Sequence, residues 1–434
     1  MSLRDSTGGP PAGAASSRWR WTVAQIGHRE EYAAARAFAA DGRLDRLYTD
    51  MWCRHGAPAL RRGPAPLRRL ALRYHPALRD ARVVAWTPSM LARTLTHAVG
   101  RRGRRDIDYD DYVRIGDWFD RRVAQHLGCV PEVGTHSFFG YNTGCLETLR
   151  QLRERGVPAV VDAIHPGRTE YALVRGEAER WPGWEPAPSV VPEAYFERLA
   201  AEWDAATGVV VNSQWSADAL VQQGVARERI VVVPLAYVPQ AVPVGSDGPR
   251  PPVPQAGRRS PLTVLWLGSV NLRKGIPYLV EAARLLADRS LRFVVVGPLE
   301  ISDRAVASAP PSVELRGPLT HDRIHDAYAA AHVFVLPTIS DGFAITQLEA
   351  LAHGLPVVTT PNCGQVVDHG QDGMIVPAAD ATALAAALAA LDDDRDLLGA
   401  MSERAPLKAR QFSLDRYRTG LDDAVTRLAG AAIG

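Results

Sequence analysis

The chain has 434 residues, 46% of them apolar, with 50 basic against 48 acidic side chains and a formal net charge of +2. That length allows two or three domains with real hydrophobic cores, and the apolar share excludes a disordered chain. Four cysteines (Cys53, Cys129, Cys145 and Cys363) lie far apart with no C-x-x-C pair, which argues against a disulfide scaffold or a zinc site. No apolar run reaches the ~18–20 residues of a membrane span, and the N-terminus has no signal-peptide core, so a cytoplasmic location is expected.

Residues 1–17 (MSLRDSTGGPPAGAASS) are rich in Gly, Pro, Ser and Ala and read as a disordered tail. Beyond them, short β-branched runs alternate with stretches of helical period. Trp21–Ile26 reads as a strand, Gly27 as a turn and Glu31–Ala40 as a helix. Further strands are expected at Arg46–Thr49, Val83–Trp86, Val133–His136, Ala159–Ile164, Gly208–Asn212 and Ile230–Val233. Helical patterns fall between them at Leu146–Glu154, Glu193–Ala205 and Ser216–Gln223. In residues 18–237 this alternation predicts a parallel sheet with helices on both faces.

The stretch 238–261 is dense in Pro and Gly and reads as an interdomain linker. The alternation then restarts over 262–410: strand Thr263–Leu267, helix Ile276–Ala287, and strands Arg292–Val296, Val313–Arg316 and Val333–Leu336. A helix beginning near Ala344, strands Pro356–Thr359 and Met374–Val376, and the amphipathic Ala381–Leu391 follow. In the last segment, 411–434, Ser413–Leu428 has helical period and is expected to cross back onto the first domain. Two doubly wound α/β domains imply a cleft between the C-terminal ends of their strands. No repeat of 20–50 residues is visible.

The neutral total hides an uneven distribution. From Arg54 to Arg105 there are 13 arginines and one acid, Asp80, a local net of +12 that leaves −10 for the rest. Such a segment reads either as a solvated surface or as a patch drawn to an anionic membrane or a phosphorylated acceptor. Nucleic acid is not indicated, since neither a recognition helix nor an RNP-like motif accompanies it. Only two lysines, Lys274 and Lys408, stand among 48 arginines, a bias expected of a G+C-rich genome.

Lys274 falls in the first strand–loop–helix unit of the second half, LTVLWLGSVNLRKGIPYLVEAARLL. A buried strand runs into Gly268, a loop follows, and Lys274-Gly275 opens a helix. Free N–H groups and the helix dipole favour an anion there, and Lys274 adds a charge suited to a diphosphate. Neither a Walker loop nor a Rossmann G-x-G-x-x-G is present. A second unit, VFVLPTISDGFAITQLEALAHGLPVV, ends its strand near Pro337 and opens a helix at Gly342-Phe343. Asp341 is expected at or just outside the N-cap, with Glu349 about two turns further on. Glu349 stands among Ile345, Leu348 and Leu351, so its carboxylate needs either an internal donor or a ligand's hydroxyls.

These two units resemble the retaining, nucleotide-sugar-dependent glycosyltransferases of family 4 (glycosyl transferases group 1), whose patterns are G-R-L-x-x-x-K-G and P-S-x-x-E-G-F-G-x-x-x-x-E-A. Here they read Gly268-Ser269-Val270-Asn271-Leu272-Arg273-Lys274-Gly275 and Pro337-Thr338-Ile339-Ser340-Asp341-Gly342-Phe343-Ala344, with Glu349-Ala350 after the second. Gly354-Leu355-Pro356-Val357-Val358 and Asp372-Gly373 also match. The resemblance is close over about 150 residues and looser before the linker. It implies the two-Rossmann GT-B fold and a nucleotide-diphosphate sugar as donor substrate, with no cofactor and no metal. The acceptor it implies is a sugar, lipid-linked or small-molecule hydroxyl.

Residue by residue, the resemblance puts Lys274 on the donor diphosphate, Glu349 on the ribose and Asp341 on the donor sugar. It also puts the backbone N–H groups of Gly342, Phe343 and Ala344 around the sugar phosphate. Gly27 occupies the glycine-loop position of the first domain. His165 matches the histidine facing the reacting sugar, with His136 as its competitor. Ser269 replaces the arginine that normally joins the lysine, and the adjacent Arg273 is the residue able to compensate. Asp341 is one methylene shorter than the usual glutamate, and Pro234-Leu235-Ala236-Tyr237-Val238 replaces P-N-G-V-D. The implied reaction is front-face glycosyl transfer with retention. The alternatives are another GT-B enzyme, such as a sugar-nucleotide epimerase, and a non-catalytic scaffold that binds nucleotide sugar.

Overall fold

A computed structural model describes residues 19–54, 60, 70–100, 109–128, 135–186, 190–238 and 261–431. The tail 1–17, the interior of the stretch 238–261 and much of Arg54–Arg105 lie outside these residues. Short runs of Val, Ile, Leu and Phe, buried on both faces, build two parallel sheets, the pattern required when helices cover each side.

The first half contains β1 (Arg20–Gln25), α1 (Ala33–Ala40), β2 (Leu44–Thr49), β3 (Val83–Ala85), α2 (Thr87–Gly100), α3 (Tyr109–Leu127), β4 (His136–Tyr141) and α4 (Leu146–Glu154). It continues with β5 (Ala159–Asp162), α5 (Arg168–Arg180), α6 (Glu193–Ala205), β6 (Gly208–Val211), α7 (Gln214–Gln222) and β7 (Ile230–Val232). The second half contains β8 (Leu262–Leu267), α8 (Ile276–Leu285), β9 (Leu291–Val296), α9 (Asp303–Ala307), β10 (Val313–Gly317), α10 (His321–Ala329) and β11 (Val333–Leu336). It ends with α11 (Thr346–Ala352), β12 (Val357–Thr359), β13 (Gly373–Ile375), α12 (Ala381–Asp393), α13 (Arg395–Ala409) and α14 (Leu414–Ala431).

The seven-stranded sheet runs β3-β2-β1-β4-β5-β6-β7 and the six-stranded sheet β10-β9-β8-β11-β12-β13. Each order reverses between two central strands, β1/β4 in one and β8/β11 in the other. Loops leaving the carboxyl ends of those strands diverge and leave a crevice, where ligands bind in such sheets. The loops that begin at Ile26, Asn142, Gly268 and Pro337 therefore gather at one place.

One apolar cluster runs through both halves, from Trp21, Phe38 and Tyr141 to Phe334, Leu348 and Leu351, with Tyr417, Leu421 and Leu428 of α14 between them. Helix α14 packs on α1 and β6 of the first sheet. Its Asp422 accepts hydrogen bonds from Trp21 Nε1 at 3.0 Å and from both terminal nitrogens of Arg43, at 2.9 and 2.5 Å. A bidentate, largely buried pair of this kind fixes orientation as well as adding energy. Among the described residues, no helix is long and apolar enough to cross a membrane.

Three local expectations fail. Of the strand expected at Val133–His136, Val133 and Gly134 lie outside the described residues, Thr135 is in a turn, and the strand runs from His136 to Tyr141, where Phe and Tyr rather than β-branched residues fill the buried positions. The helix expected from Glu31 is preceded by a tight turn, because Glu30, Glu31 and Tyr32 all have positive φ (49°, 51° and 63°) and α1 begins only at Ala33. The helix expected near Ala344 starts at Thr346, since Ala344 itself has a φ of 61°.

Candidate active site

The second domain presents its loop after β8 through two local devices. Asn271 accepts the Lys274 N–H at 3.0 Å, closing a short 3-10 turn over Leu272–Lys274. Gly275 then takes a φ of 77°, and a Cβ there would stand 1.9 Å from the Pro337 carbonyl oxygen. Only glycine allows both the left-handed turn and this backbone approach. The loops after β8 and β11 are thereby pressed together.

Across that contact the Lys274 ammonium pairs with the Asp341 carboxylate. Arg273 lies 3.7 Å from the same Asp341 oxygen and 3.7 Å from Glu170 of α5, and it donates to the Ser340 carbonyl at 3.3 Å. Burial alone would raise the Asp341 carboxyl, but Lys274 and Arg273 outweigh it and hold it below the usual range. Asp341 is not a helix N-cap, because α11 begins five residues later. Its Oδ1 instead accepts the Phe343 N–H at 3.3 Å within the loop. Ser269 is half-buried on the loop after β8.

Glu349 lies in the first turn of α11, not two turns along a helix. Its Oε2 accepts the Tyr328 hydroxyl at 2.8 Å, so an internal phenol supplies one partner. Phe343 is buried in the shared core, and the Ala344 main chain turns left-handed beside it. Gly342 reaches furthest, since a Cβ on it would stand 2.3 Å from the Ile164 carbonyl oxygen of the first domain.

On the first-domain side, Gly27 has a φ of 88° and donates its N–H to Asp50 at 2.9 Å. Asp50 is buried at the end of β2 and pairs with Arg73 at 2.8 Å. One arginine of the Arg54–Arg105 segment is thus committed internally. Next to this loop, Tyr141 donates to the Glu30 carboxyl at 3.5 Å, and burial pushes that carboxyl up to about 7. Asp162, at the end of β5, stands well above the carboxylate range, first through burial and then through Glu30. Asp162 is buried just ahead of Ile164 and His165, and Glu30 is half-buried.

His165 accepts the Gly167 N–H on Nδ1 at 3.0 Å, so its ring proton sits on Nε2, 2.8 Å from the Tyr195 hydroxyl. Burial, with Arg29 and Arg273 nearby, lowers its pKa to about 4, and the ring is neutral at physiological pH. His136, the competitor, opens β4 rather than ending a strand and therefore lies away from the carboxyl-end crevice.

Between the domains lies a cavity of about 580 Å³ walled by Arg29, His165, Glu170 and Tyr195 on one side and by Arg273 and Asp341 on the other. Of the residues singled out from the sequence, His165, Arg273, Asp341 and Gly342 line it, while Gly27, Ser269, Lys274, Phe343, Ala344 and Glu349 do not. Glu170 and Tyr195 escaped notice because their positions depend on how α5 and α6 pack, and Arg29, on the loop after β1, because the positive-φ turn that follows it is not written in the residue types. The one available signal was an acid five residues after His165. Among the described residues, no group of three or more His, Cys, Asp or Glu is placed to hold a metal ion.

Residues 261–394 match the family described as glycosyl transferases group 1. The chain is 27% identical over 338 residues to the D-inositol 3-phosphate glycosyltransferase of Streptomyces griseus, a match covering 70% of this chain and 68% of that one. It is similar in structure to the sucrose-phosphate synthase of Thermosynechococcus elongatus, with a TM-score of 0.60 at 16% identity over 95% of this chain and 100% of that one. It is similar also to HepE of Anabaena in complex with UDP, with a TM-score of 0.58 at 14% identity over 94% and 99% of the two chains. Both structural likenesses are likenesses of fold. Residues 261–394 thus carry the match to the group 1 glycosyl transferases, the chain is similar over most of its length to a glycosyltransferase, and its two parallel-sheet domains form a GT-B fold.

Proposed function

We propose that the protein is a retaining glycosyltransferase that moves a sugar from a nucleoside-diphosphate sugar to an acceptor hydroxyl. The observation that carries this reading is the position of Asp341, held by Lys274 and Arg273 on one wall of an interdomain cavity whose other wall is His165. As the glycosidic bond breaks, charge grows on the departing diphosphate. A fixed ammonium in a water-poor cleft stabilises that charge far more than water would. Lys274 exchanges its pairing with Asp341 for the phosphate oxygens, and Asp341 turns to the hydroxyls of the donor sugar. Glu349, oriented by Tyr328, holds the ribose.

His165 has no role as a base in this reading, since its Nδ1 lone pair already accepts the Gly167 N–H and a pKa lowered to about 4 makes the ring a weak proton acceptor. The departing phosphate takes the acceptor proton on the same face of the sugar, which accounts for retention without a protein nucleophile. No metal is assigned. The acceptor, a glycan, a lipid-linked sugar or a small molecule, enters past Tyr195. The arginines outside the described residues would draw a membrane-borne acceptor at an anionic, cytoplasmic surface, at about 1 kcal/mol each.

The test is transfer itself. The purified protein is incubated with UDP-glucose, UDP-N-acetylglucosamine or GDP-mannose and a panel of acceptors. Nucleoside-diphosphate release is followed, and the anomeric configuration of the product is read by NMR. An α-linked product from an α-linked donor supports the reading, and an inverted product overturns retention. Tight donor binding with no turnover on any acceptor favours the scaffold reading, which Ser269 in place of the second diphosphate charge keeps in view.

A further inference from the structure

Glu170 is a first-domain acid placed against the second domain's sugar-binding loop. It stands in the first turn of α5, and its Oε2 accepts the Ser340 hydroxyl at 3.0 Å and lies 3.7 Å from Arg273. Ser340 also accepts Trp215 Nε1 at 3.1 Å, so two first-domain side chains grip the residue beside Asp341. Helix α5 is itself anchored to the second domain. Tyr278 donates to Glu177 at 2.5 Å, Arg180 donates to Tyr278 at 3.0 Å, and the Ser302 hydroxyl donates to the Gly183 carbonyl at 2.6 Å. The Glu170 carboxylate is thus held in place on elements rather than on a free loop.

The two carboxylates of this wall differ in what they have left to offer. One Asp341 oxygen pairs with Lys274 and is released only as Lys274 moves to phosphate, the other accepts the Phe343 N–H, and the side chain is a methylene shorter than glutamate, so Asp341 offers a sugar one oxygen at most. Glu170 has one oxygen engaged, while Oε1 has no hydrogen-bond partner among the described residues, and the residue lines the cavity with Asp341 and His165. We propose that Glu170 is a sugar-recognising residue of the donor site, accepting hydrogen bonds from the hydroxyls of an uncharged hexose and excluding uronic acids. The proposal rests on the glycosyltransferase reading above. The same cavity is lined by Glu170, Glu185, Glu300 and Asp341 against Arg29 and Arg273, so a sugar carboxylate would meet more negative than positive charge.

The experiment compares wild type and Glu170→Gln by calorimetry, using UDP, GDP and ADP, each paired with its glucose nucleotide, and UDP-glucuronic acid. In the wild type, glucose strengthens binding over the free diphosphate for one nucleotide, and UDP-glucuronic acid binds at least tenfold more weakly than UDP-glucose. In Glu170→Gln the free diphosphate binds as before, the gain from glucose falls at least tenfold, and the gap to glucuronic acid narrows. Ser340→Ala, which removes the hydroxyl holding Glu170 but keeps its charge, shows a smaller loss in the same direction. If Glu170→Gln tightens diphosphate and sugar nucleotide alike, Glu170 is a competitor for Arg273 and the proposal is wrong. It is equally overturned if neither affinity moves, or if glucose never adds affinity in the wild type. A wild type that binds no nucleotide overturns the glycosyltransferase reading as well, which sets that failure apart.

Discussion

Lys274 and Asp341 form an ion pair that joins the loop after β8 to the loop after β11, and both side chains are largely shielded from solvent. The pair stores a cation at the position where the resemblance puts the diphosphate. Lys274→Ala should lower turnover by about 100-fold or more, the usual consequence of deleting one fixed stabiliser of developing charge. Arg273, 3.7 Å from the same carboxylate, compensates part of the charge left behind, so circular dichroism should show a folded protein. A variant that turns over at the wild-type rate would remove Lys274 from the diphosphate.

His165 carries a prediction about protons. Its folded pKa of about 4 lies below the ordinary value of 6.5, so the folded protein disfavours the charged ring. The associated stability is fully present above pH 6.5 and is lost as pH falls through about 4. A long-range nitrogen–proton NMR spectrum should show one histidine that stays neutral from pH 8 down to pH 5, with its proton on Nε2. That signal should vanish in His165→Asn. A ring that titrates near 6.5 would contradict the hydrogen bonds assigned to it.

Much of the fold was legible where burial dictates composition. Val333–Leu336, Leu146–Glu154 and Glu193–Ala205 read from the sequence with the bounds that the structure has. These segments are either continuously apolar or carry a clear helical period. The failures share a different cause. Nothing in the residue type announces that Ala344 and three residues after Arg29 adopt positive φ, because each is held by its surroundings rather than by its own preference. The candidate site divides the same way: local spacing singles out Lys274, Asp341 and Glu349, of which Asp341 lines the interdomain cavity and Lys274 pairs with it, while Glu349 does not line it. Glu170 and Tyr195 become site residues only when α5 and α6 face the second domain.

Glu30 titrates in the sense opposite to His165. Its folded pKa of about 7 exceeds the ordinary 4.5, so the folded state binds the extra proton between those values. Its stabilising contribution is complete below pH 4.5 and is lost as pH rises through about 7. Glu30→Gln keeps the neutral shape at every pH. The variant should match wild type near pH 4.5 and exceed it by about 1–2 kcal/mol at pH 8. Urea unfolding at the two pH values decides the matter, and a difference that shrinks with rising pH would refute the protonated state.

Gly342 tests whether the two domains must touch for chemistry. A Cβ there would fall 2.3 Å from the Ile164 carbonyl oxygen and 3.0 Å from Asn212 Nδ2, both in the first domain. A backbone oxygen cannot swing aside as a flexible side chain can, so Gly342→Ala has to push the domains apart or displace the loop. Overpacking of this kind costs about 1–3 kcal/mol. Asp341 immediately precedes Gly342 and Ile164 immediately precedes His165, so the same shift separates the two walls of the cavity. A displacement of about 1 Å at a reacting centre can cost ~100-fold in rate. We therefore expect kcat to fall by about tenfold or more while nucleotide affinity, assigned to the second domain, changes by less. Gly399→Ala on α13, where a Cβ meets nothing within 4 Å, serves as the control and should leave the rate unchanged. Equal losses of kcat and nucleotide affinity in Gly342→Ala would place the damage in the loop after β11, not in the approach of the domains.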